Sequence, residues 1–568
     1  MKRIRRTTWA LVAFMAIALC TAGTVRAAVD KLIPADSLVV VKVHEPYTQM
    51  EKLTESELFA RLTDPGVMPD LANGVRQVKA MVDFVEQQHK VNVERVLSGL
   101  FAGEMAVAIN GEGSGVMLIE GENHSAVQKG LSEFLRVRKD QGELTGVKEE
   151  TYKGVKVRSS QAVSGQEDRV YAVLGKVLVV ANPPNRGSLR HVIDISQGQA
   201  SSLAATPRYR KALSMVSRDS VISGYVDVPG VLEMIEKTQP HASEDPVARF
   251  IGEWLHDNVS FASMSVTAKD ALQGSMTVKY AGDRLPEYLA SLLPEQGNDL
   301  EILNLIPRSA ALAGARSTNL KAVYEGLHEL AQRAPGKGAQ QMEQGLQFMV
   351  GMIGGIQSSE QLFDELGDEM ALFVLPSGHR DHPPAVGFML QLRNKAHIPL
   401  AIETLVGTAV AGARGEGKID IRIKAEKYHD VPLTVVRSDE VQPPVLRKLS
   451  PTLCVVGDCL TLTSTVDAAK QVIDASHSKA ADRPKAAGTV YRAGRVDLKQ
   501  VRRMLQRHRD FLTAHAVLQG GRTTEQAQAD LKRIDKILSF MDEFTVTESH
   551  RRGVTTHIMT LKFSEAGR

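Results

Sequence analysis

Two short clusters in this sequence hold side chains that could do chemistry. His379-Arg380-Asp381-His382 places two imidazoles and a carboxylate together, and such side chains bind transition metals. We interpret it as a solvated polar loop, because it lies between two predicted hairpin strands and the matching loop at 110–115 has no histidine. Ser476-His477-Ser478-Lys479 has the Ser-x-x-Lys spacing of some acyl-transfer enzymes. That stretch ends a helical pattern instead of starting one, so we predict no nucleophile there.

A basic segment near the carboxyl end is the third candidate. Five cations lie close together in it: Lys499, Arg502, Arg503, Arg507 and Arg509. Four apolar residues give the same segment a second side: Val501, Met504, Leu505 and Phe511. A basic amphipathic helix can contact an anionic membrane surface or bind an anion. The five cations are therefore our candidate contacts, and an ordinary solvated helix face is the alternative.

Two cysteines form the fourth candidate. Cys454 and Cys459 flank a predicted hairpin turn at Gly457-Asp458, which puts both thiols on the same face of adjacent strands. The matching places in the first half hold Ala172 and Val177, so the fold requires only small buried side chains there. A Cys454–Cys459 disulfide in an exporting compartment is the other interpretation. In both cases we expect the two side chains to be at least partly buried.

Other sites have no signature in the sequence. There is no phosphate-binding glycine loop, dinucleotide fingerprint, nucleophile elbow or His-Glu-x-x-His motif. The only other cysteine is Cys20, so a cysteine-rich metal centre is excluded. Asp227 and Asp497 occupy matching places before predicted helices, and we interpret them as N-caps. We predict no catalytic residue, no metal site and no cofactor.

The sequence patterns of the strands and helices that hold these residues recur along the chain. Six matches appear in the same order in both halves: Leu32-Ile33-Pro34 with Leu305-Ile306-Pro307, Glu104-Met105-Ala106 with Glu369-Met370-Ala371, Tyr152 and Val155 with Tyr428 and Val431, Val192-Ile193-Asp194 with Val472-Ile473-Asp474, Gly224 to Val228 with Gly494 to Leu498, and Met276 to Tyr280 with Met559 to Phe563. One such match would be chance, but an ordered series predicts an internal duplication.

Each half has the pattern of an α+β fold. Short apolar runs flank glycine turns such as Gly175-Lys176, and strands joined so tightly must be antiparallel. Helical patterns interrupt the strands without alternating strictly with them, which favours α+β over a doubly wound sheet. We predict two homologous tandem lobes, each a largely antiparallel sheet packed with helices. Their limits are 28–282 and 300–568, with a signal peptide at 1–27 and a connector at 283–299.

Several of these motifs resemble a known family. They are the opening Leu32-Ile33-Pro34-Ala35-Asp36-Ser37 before an apolar strand, the Glu-Met-Ala strand start, and the strand, glycine turn, strand, Val-Ile-Asp series. Together with the signal peptide, they are similar to the exported bacterial proteins grouped as Domain of Unknown Function 3352. The resemblance covers nearly the whole chain after the signal peptide. It implies export and a repeated α+β build, and it implies no catalytic residue.

The amino terminus has the order of a secretory signal. A basic head at 2–6 precedes an uncharged apolar run, Trp9 to Leu19, and Val25-Arg26-Ala27 supplies the small residues of a cleavage site. We predict cleavage after Ala27 and a periplasmic or extracellular location, with a retained anchor as the alternative. The chain carries a formal net charge of +3, and loss of the five basic residues at 1–27 would leave −2. A nearly neutral protein gives no electrostatic reason to predict nucleic-acid binding.

These observations favour an exported protein with a non-catalytic binding or structural role and an envelope protein or a lipid as its partner. A carrier of an apolar ligand is the second hypothesis. Its groove would be lined by five apolar residues: Met342, Phe348, Met349, Met352 and Ile353. A hydrolase with dispersed catalytic residues is the third hypothesis, since such residues converge only in the folded chain.

Overall fold

The chain folds into two compact units. A computed structural model describes residues 29–239, 246–269, 271–283, 290, 300–333, 363–377, 382–395, 421–438, 449–478 and 490–564. The first unit comprises Met1–Ala281 with Glu565–Arg568, and the second comprises Gly282–Ser564. The predicted signal peptide and most of the predicted connector lie outside the described residues.

The first unit is built on one antiparallel sheet. Its strands are β1 Ser37–His44, β2 Glu104–Asn110, β3 Gly115–Glu120, β4 Leu144–Tyr152, β5 Val155–Ala162, β6 Glu167–Leu174, β7 Val177–Ala181, β8 Ile222–Val226, β9 Val259–Ala268 and β10 Ala271–Tyr280. Hydrogen bonding orders them β4-β5-β6-β7-β3-β2-β1-β8-β9-β10. The predicted Gly175-Lys176 hairpin is the β6–β7 turn, with Gly175 at φ 58°.

Helices connect these strands. They are α1 Pro46–Glu55, α2 Glu57–Leu62, α3 Pro69–His89, α4 Val93–Leu100, α5 His124–Asp140, α6 Arg186–Ser196, α7 Pro207–Leu213, α8 Val228–Thr238 and α9 Pro246–Asn258. A short 3₁₀ turn, Val29–Lys31, precedes β1. Alternate residues along the strands face a core that includes the fully buried Val40, Leu118 and Val179.

The second unit contains the remaining described strands and helices. Its strands are β11 Leu312–Ser317, β12 Leu366–Leu375, β13 Ala385–Leu392, β14 Ile421–Tyr428, β15 Val431–Ser438, β16 Thr452–Val456, β17 Cys459–Thr463, β18 Val490–Asp497, β19 Met541–Arg551 and β20 Val554–Phe563. Its described helices are α10 Leu320–Arg333, α11 Val466–His477, α12 Leu498–Arg507, α13 Arg509–Gly520 and α14 Thr524–Leu538. A 3₁₀ turn, Glu301–Leu305, precedes β11.

Both sheets have the same strand order. The second sheet runs β14-β15-β16-β17-β13-β12-β11-β18-β19-β20, which is the order of the first with each strand number raised by ten. Met105 pairs with Val43 and Ile119, and Met370 pairs with Arg316 and Leu390, so both lie in the equivalent strand. The α+β prediction is confirmed. A shared order is what a duplication predicts, while the homology of the two halves stays a prediction.

The Val-Ile-Asp match has the same structural role in each unit. Val192 and Ile193 of α6 are fully buried, as are Val472 and Ile473 of α11. The aspartate that follows accepts a hydrogen bond from a tyrosine hydroxyl, 3.3 Å for Tyr152 to Asp194 and 3.1 Å for Tyr428 to Asp474. In each unit, the two aliphatic side chains of this match pack the helix against the sheet. The aspartate side chain hydrogen-bonds the tyrosine next to the β4–β5 or β14–β15 turn.

Within the described ranges, no helix is both long enough and apolar enough to cross a bilayer.

Candidate anion-binding site

The basic segment contains helix α12, which begins after an N-cap residue. Asp497 caps this helix, accepting a 2.9 Å hydrogen bond from the backbone N–H of Gln500. Four polar side chains then recur at three- and four-residue steps, which places them on one face: Lys499, Arg502, Arg503 and Gln506. This face lies next to the end of α14 and the start of β19.

A pocket of about 330 Å³ lies at this face. Besides the four α12 side chains, it is lined by Leu538, Ser539, Met541, Asp542 and Ser564. Its volume is at the lower end of the range for small-molecule sites, so it suits a small ligand or the headgroup of a larger one. A capping box between Thr523 and Gln526 starts α14, the helix whose far end forms one wall.

Two cations of the pocket are already paired. The Arg502 guanidinium donates to both carboxylate oxygens of Asp535, at 3.0 and 3.2 Å, and lowers the pKa of that carboxyl. Gln506 donates to the same carboxylate at 2.7 Å. Lys499 Nζ lies 2.9 Å from Asp542 Oδ2. These pairs hold the long side chains of Lys499 and Arg502 at the pocket walls.

Arg503 differs from its neighbours. Its side chain is exposed and lines the pocket. In the described part of the chain, no residue forms an ion pair or a hydrogen bond with it. A guanidinium presents several N–H donors in a plane that matches a carboxylate or a phosphate group. Arg503 is therefore the cation of this pocket that an anion could engage without displacing an acidic partner.

The other two basic candidates lie elsewhere. Helix α12 ends at Arg507, whose guanidinium hydrogen-bonds the carbonyl of Ser377, and Arg509 begins the next helix, α13. Between them, His508 is buried and leaves helical geometry at φ −101° and ψ 18°. The basic segment therefore spans the end of one helix and the start of the next. Of the five predicted contacts, the structure brings Lys499, Arg502 and Arg503 together.

The two cysteines are free thiols, and both are buried. They project from the same face of the β16–β17 hairpin, as predicted, but Cys454 pairs with Thr461 and Cys459 pairs with Val456. The thiols are thus diagonal neighbours and not a directly opposed pair. Burial raises the pKa of each thiol to about 12, with Glu369 and Asp458 adding to the effect at Cys459.

Of the remaining candidate residues, some make structural hydrogen bonds and others lie outside the described residues. Asp227 precedes α8 but does not cap it, because its carboxylate accepts from Arg208 at 2.7 and 2.8 Å. Ser476 donates to the Ile473 carbonyl at the end of α11, which is a structural use of its hydroxyl. The residues 379–381 and Lys479 lie outside the described residues, as does the whole predicted apolar groove at 342–353.

A buried ionic cluster in the first unit was not predicted. Lys42 of β1 lies 2.9 and 3.0 Å from the two carboxylate oxygens of Asp30, which also accepts from Tyr209 at 2.8 Å. His44 Nδ1 is 2.6 Å from Glu104 on the neighbouring strand β2. Burial, together with the adjacent Asp30, raises the pKa of Tyr209 well above its usual value. Lys42, Glu104 and Tyr209 are buried, and the ion pairs join them to the partly buried Asp30 and His44.

The family relationship of the chain follows from a comparison with known proteins. Residues 128–419, just over half of the chain, match a family described as a protein of unknown function, DUF3352. The chain belongs to this family. No curated protein and no solved structure matches the chain. The family description names no activity.

Proposed function

We propose that this is an exported, non-catalytic binding protein, and that the basic pocket of the second unit holds an anionic group of its ligand. The single observation that carries the proposal is Arg503, which lines a pocket of about 330 Å³ and has no ion-pair partner among the described residues. Asp535 and Asp542 fix the two neighbouring cations, so the site is organised before a ligand arrives. An organised site loses less side-chain entropy on binding.

The chemistry of the lining supports binding over turnover. None of the nine lining residues is a histidine or a cysteine. The Ser539 hydroxyl donates to the Lys536 carbonyl at 2.6 Å, and the Ser564 hydroxyl donates to the Ser539 carbonyl at 3.2 Å. A serine nucleophile needs a base that takes its proton, and here both hydroxyl protons are directed at backbone carbonyls. The apolar groove of the carrier hypothesis lies outside the described residues.

The ligand group should be a phosphate or phosphodiester, either free or in a lipid headgroup. Two assays distinguish these sources: calorimetric titration with inorganic phosphate, and cosedimentation with vesicles of phosphatidylcholine alone or mixed with phosphatidylglycerol. We expect Arg503→Ala to weaken binding at least about tenfold, because a charge-assisted hydrogen bond is lost. Binding should also weaken as salt rises, since the site is solvent-accessible.

Arg509→Ala is the matched control. It removes the same side chain and the same charge from an exposed position that does not line the pocket. We expect its affinity to stay within about twofold of the wild-type value, because exposed charges contribute little at a distance. Equal losses in both variants would mean that the basic segment attracts anions only through its overall charge.

Export is the second part of the proposal. Val29, the second residue of the chain after the predicted cleavage site, is fully buried, so the processed protein keeps a side chain that its core uses. We expect protein from its native host to have the intact mass of a chain that begins at Ala28. A mass that includes residues 1–27 would mean a retained anchor, and a lipid adduct on Cys20 would mean a lipoprotein.

A further inference from the structure

Helix α13 presents a largely apolar stripe to solvent. Phe511 is 56% exposed and Leu518 is 83% exposed. Ala514 and His515 lie between them at three- and four-residue steps, so the four exposed side chains share one face of the helix, the α13 stripe. The His515 ring stacks on that of Phe511, with the ring centroids 6.2 Å apart. A helix that faces only water normally turns polar side chains outward, so this stripe is unusual.

A different face of α13 packs the helix into the second unit. Thr513 is buried, and Ala516 and Val517 are half-buried. The helix packs against α14, which follows it after a left-handed turn at Gly521, where φ is 59°. The α13 stripe is thus separate from the face that the fold uses, and its most exposed residue, Leu518, lies in the last turn before the α13–α14 connection.

The charges near the stripe are mostly positive. Residues 498–522 contain six lysine or arginine side chains and one acidic side chain, Asp510. Three of the six cations form ion pairs with acidic residues of α14 and β19. The other three, Arg503, Arg507 and Arg509, are exposed and form no ion pair with a described residue. An apolar stripe beside uncompensated arginines complements a membrane that contains anionic lipids, since such a surface offers phosphates above hydrocarbon.

We infer that the α13 stripe docks on the surface of a bilayer that contains anionic lipids. Phe511 and Leu518 enter the boundary between headgroups and acyl chains, while Arg507 and Arg509 contact lipid phosphates. The helix has 12 residues, too few to cross a bilayer, so the contact stays at the surface. The inference rests on the proposed function in one respect, because the same lipid surface supplies the phosphate group that Arg503 binds.

The test is cosedimentation of the full processed chain with vesicles of phosphatidylcholine alone or mixed with phosphatidylglycerol. The informative variant is Phe511→Gln with Leu518→Gln, because it removes the large apolar side chains of the stripe and keeps every arginine. Glutamine is a good residue for an exposed helix position. The matched control is Phe84→Gln with Val163→Gln, which removes two large apolar side chains of the first unit that are 54% and 63% exposed.

We expect the wild-type chain to bind the mixed vesicles. The stripe variant should bind them at least about tenfold more weakly, because two apolar side chains no longer leave water, whereas the control should stay within about twofold of wild type. Both variants should keep the wild-type melting temperature, since all four substituted side chains are exposed. The affinity of the stripe variant for inorganic phosphate should be unchanged, so a failure of the Arg503 pocket and a failure of the stripe give different results.

Two results would overturn the inference. One is equal binding of the mixed vesicles by the stripe variant and the control, and the other is no binding of these vesicles by the wild-type chain. If the stripe instead joined two copies of the chain, analytical ultracentrifugation would show a dimer that the stripe variant dissociates while vesicle binding stays at the wild-type level, which is the first of these results.

Discussion

Replacing Lys42 with methionine should destabilise the first unit by about 3–5 kcal/mol, because a buried ion pair loses one partner. The Lys42 side chain is only 6% exposed, and its ammonium contacts both oxygens of Asp30. It also lies 3.9 Å from Glu104, a side chain that is 8% exposed. Without the ammonium, the partly buried Asp30 and the buried Glu104 lose a cation where water hydrates them poorly. Urea unfolding followed by circular dichroism measures the loss.

The matched control for this prediction is Lys153→Met. It makes the same substitution in another Lys–Asp pair of the same unit, but Lys153 is 39% exposed. Water screens an exposed pair, so we expect the urea midpoint to stay nearly unchanged. The double variant Lys42→Met with Asp30→Asn should recover part of the lost stability, because it removes one of the uncompensated charges. A midpoint for Lys42→Met equal to that of the control would show that the buried cluster contributes nothing.

Alkylation of the two thiols should be about a thousand times slower in the native protein than in the unfolded chain at pH 8. Only the thiolate reacts, and an ordinary cysteine has a pKa of about 8.5. Burial raises the pKa of Cys454 and Cys459 to about 12, so the folded state holds far less thiolate. Because pH 8 lies well below that value, the native rate should rise about tenfold for each added pH unit. Iodoacetamide labelling with mass spectrometry measures both effects.

The same reagent tests the candidate disulfide. Unfolding without a reductant should release two alkylatable thiols, in line with the free and diagonally placed cysteines of the β16–β17 hairpin. Directly opposed cysteines on neighbouring strands bring their Cβ atoms closer together than diagonal neighbours do, and a disulfide requires that proximity. Rapid labelling of the native protein would contradict burial. Labelling that requires a reductant would show that the two thiols are bridged.

The strands could be predicted from the sequence because their signals are local. Apolar runs around Gly175 and Gly457 predicted the β6–β7 and β16–β17 hairpins, and both form. A glycine accepts the positive φ of these turns, 58° and 59°, and its place in the sequence marks the turn directly. The ordered matches between the halves likewise needed only residue types, and the matched strands have equivalent places in the two sheets.

The sites were harder to predict because their residues come from distant segments. The pocket joins α12 to residues near 540 and to Ser564, so no spacing in the sequence connects Arg503 with Asp542. One local signal was available in the first unit: Lys42 interrupts the run Val39-Val40-Val41 and Val43, and a lysine inside an apolar strand requires a buried partner.

Binding of an anionic group by Arg503 in the basic pocket can be tested with one ratio. It is the dissociation constant for inorganic phosphate of Arg503→Ala divided by that of Arg509→Ala, measured by calorimetry at one salt concentration. We expect a ratio of about ten or more, because Arg503, unlike Arg509, lines the pocket and has no acidic partner among the described residues. A ratio near one, or no measurable phosphate binding by the wild-type protein, would contradict this expectation.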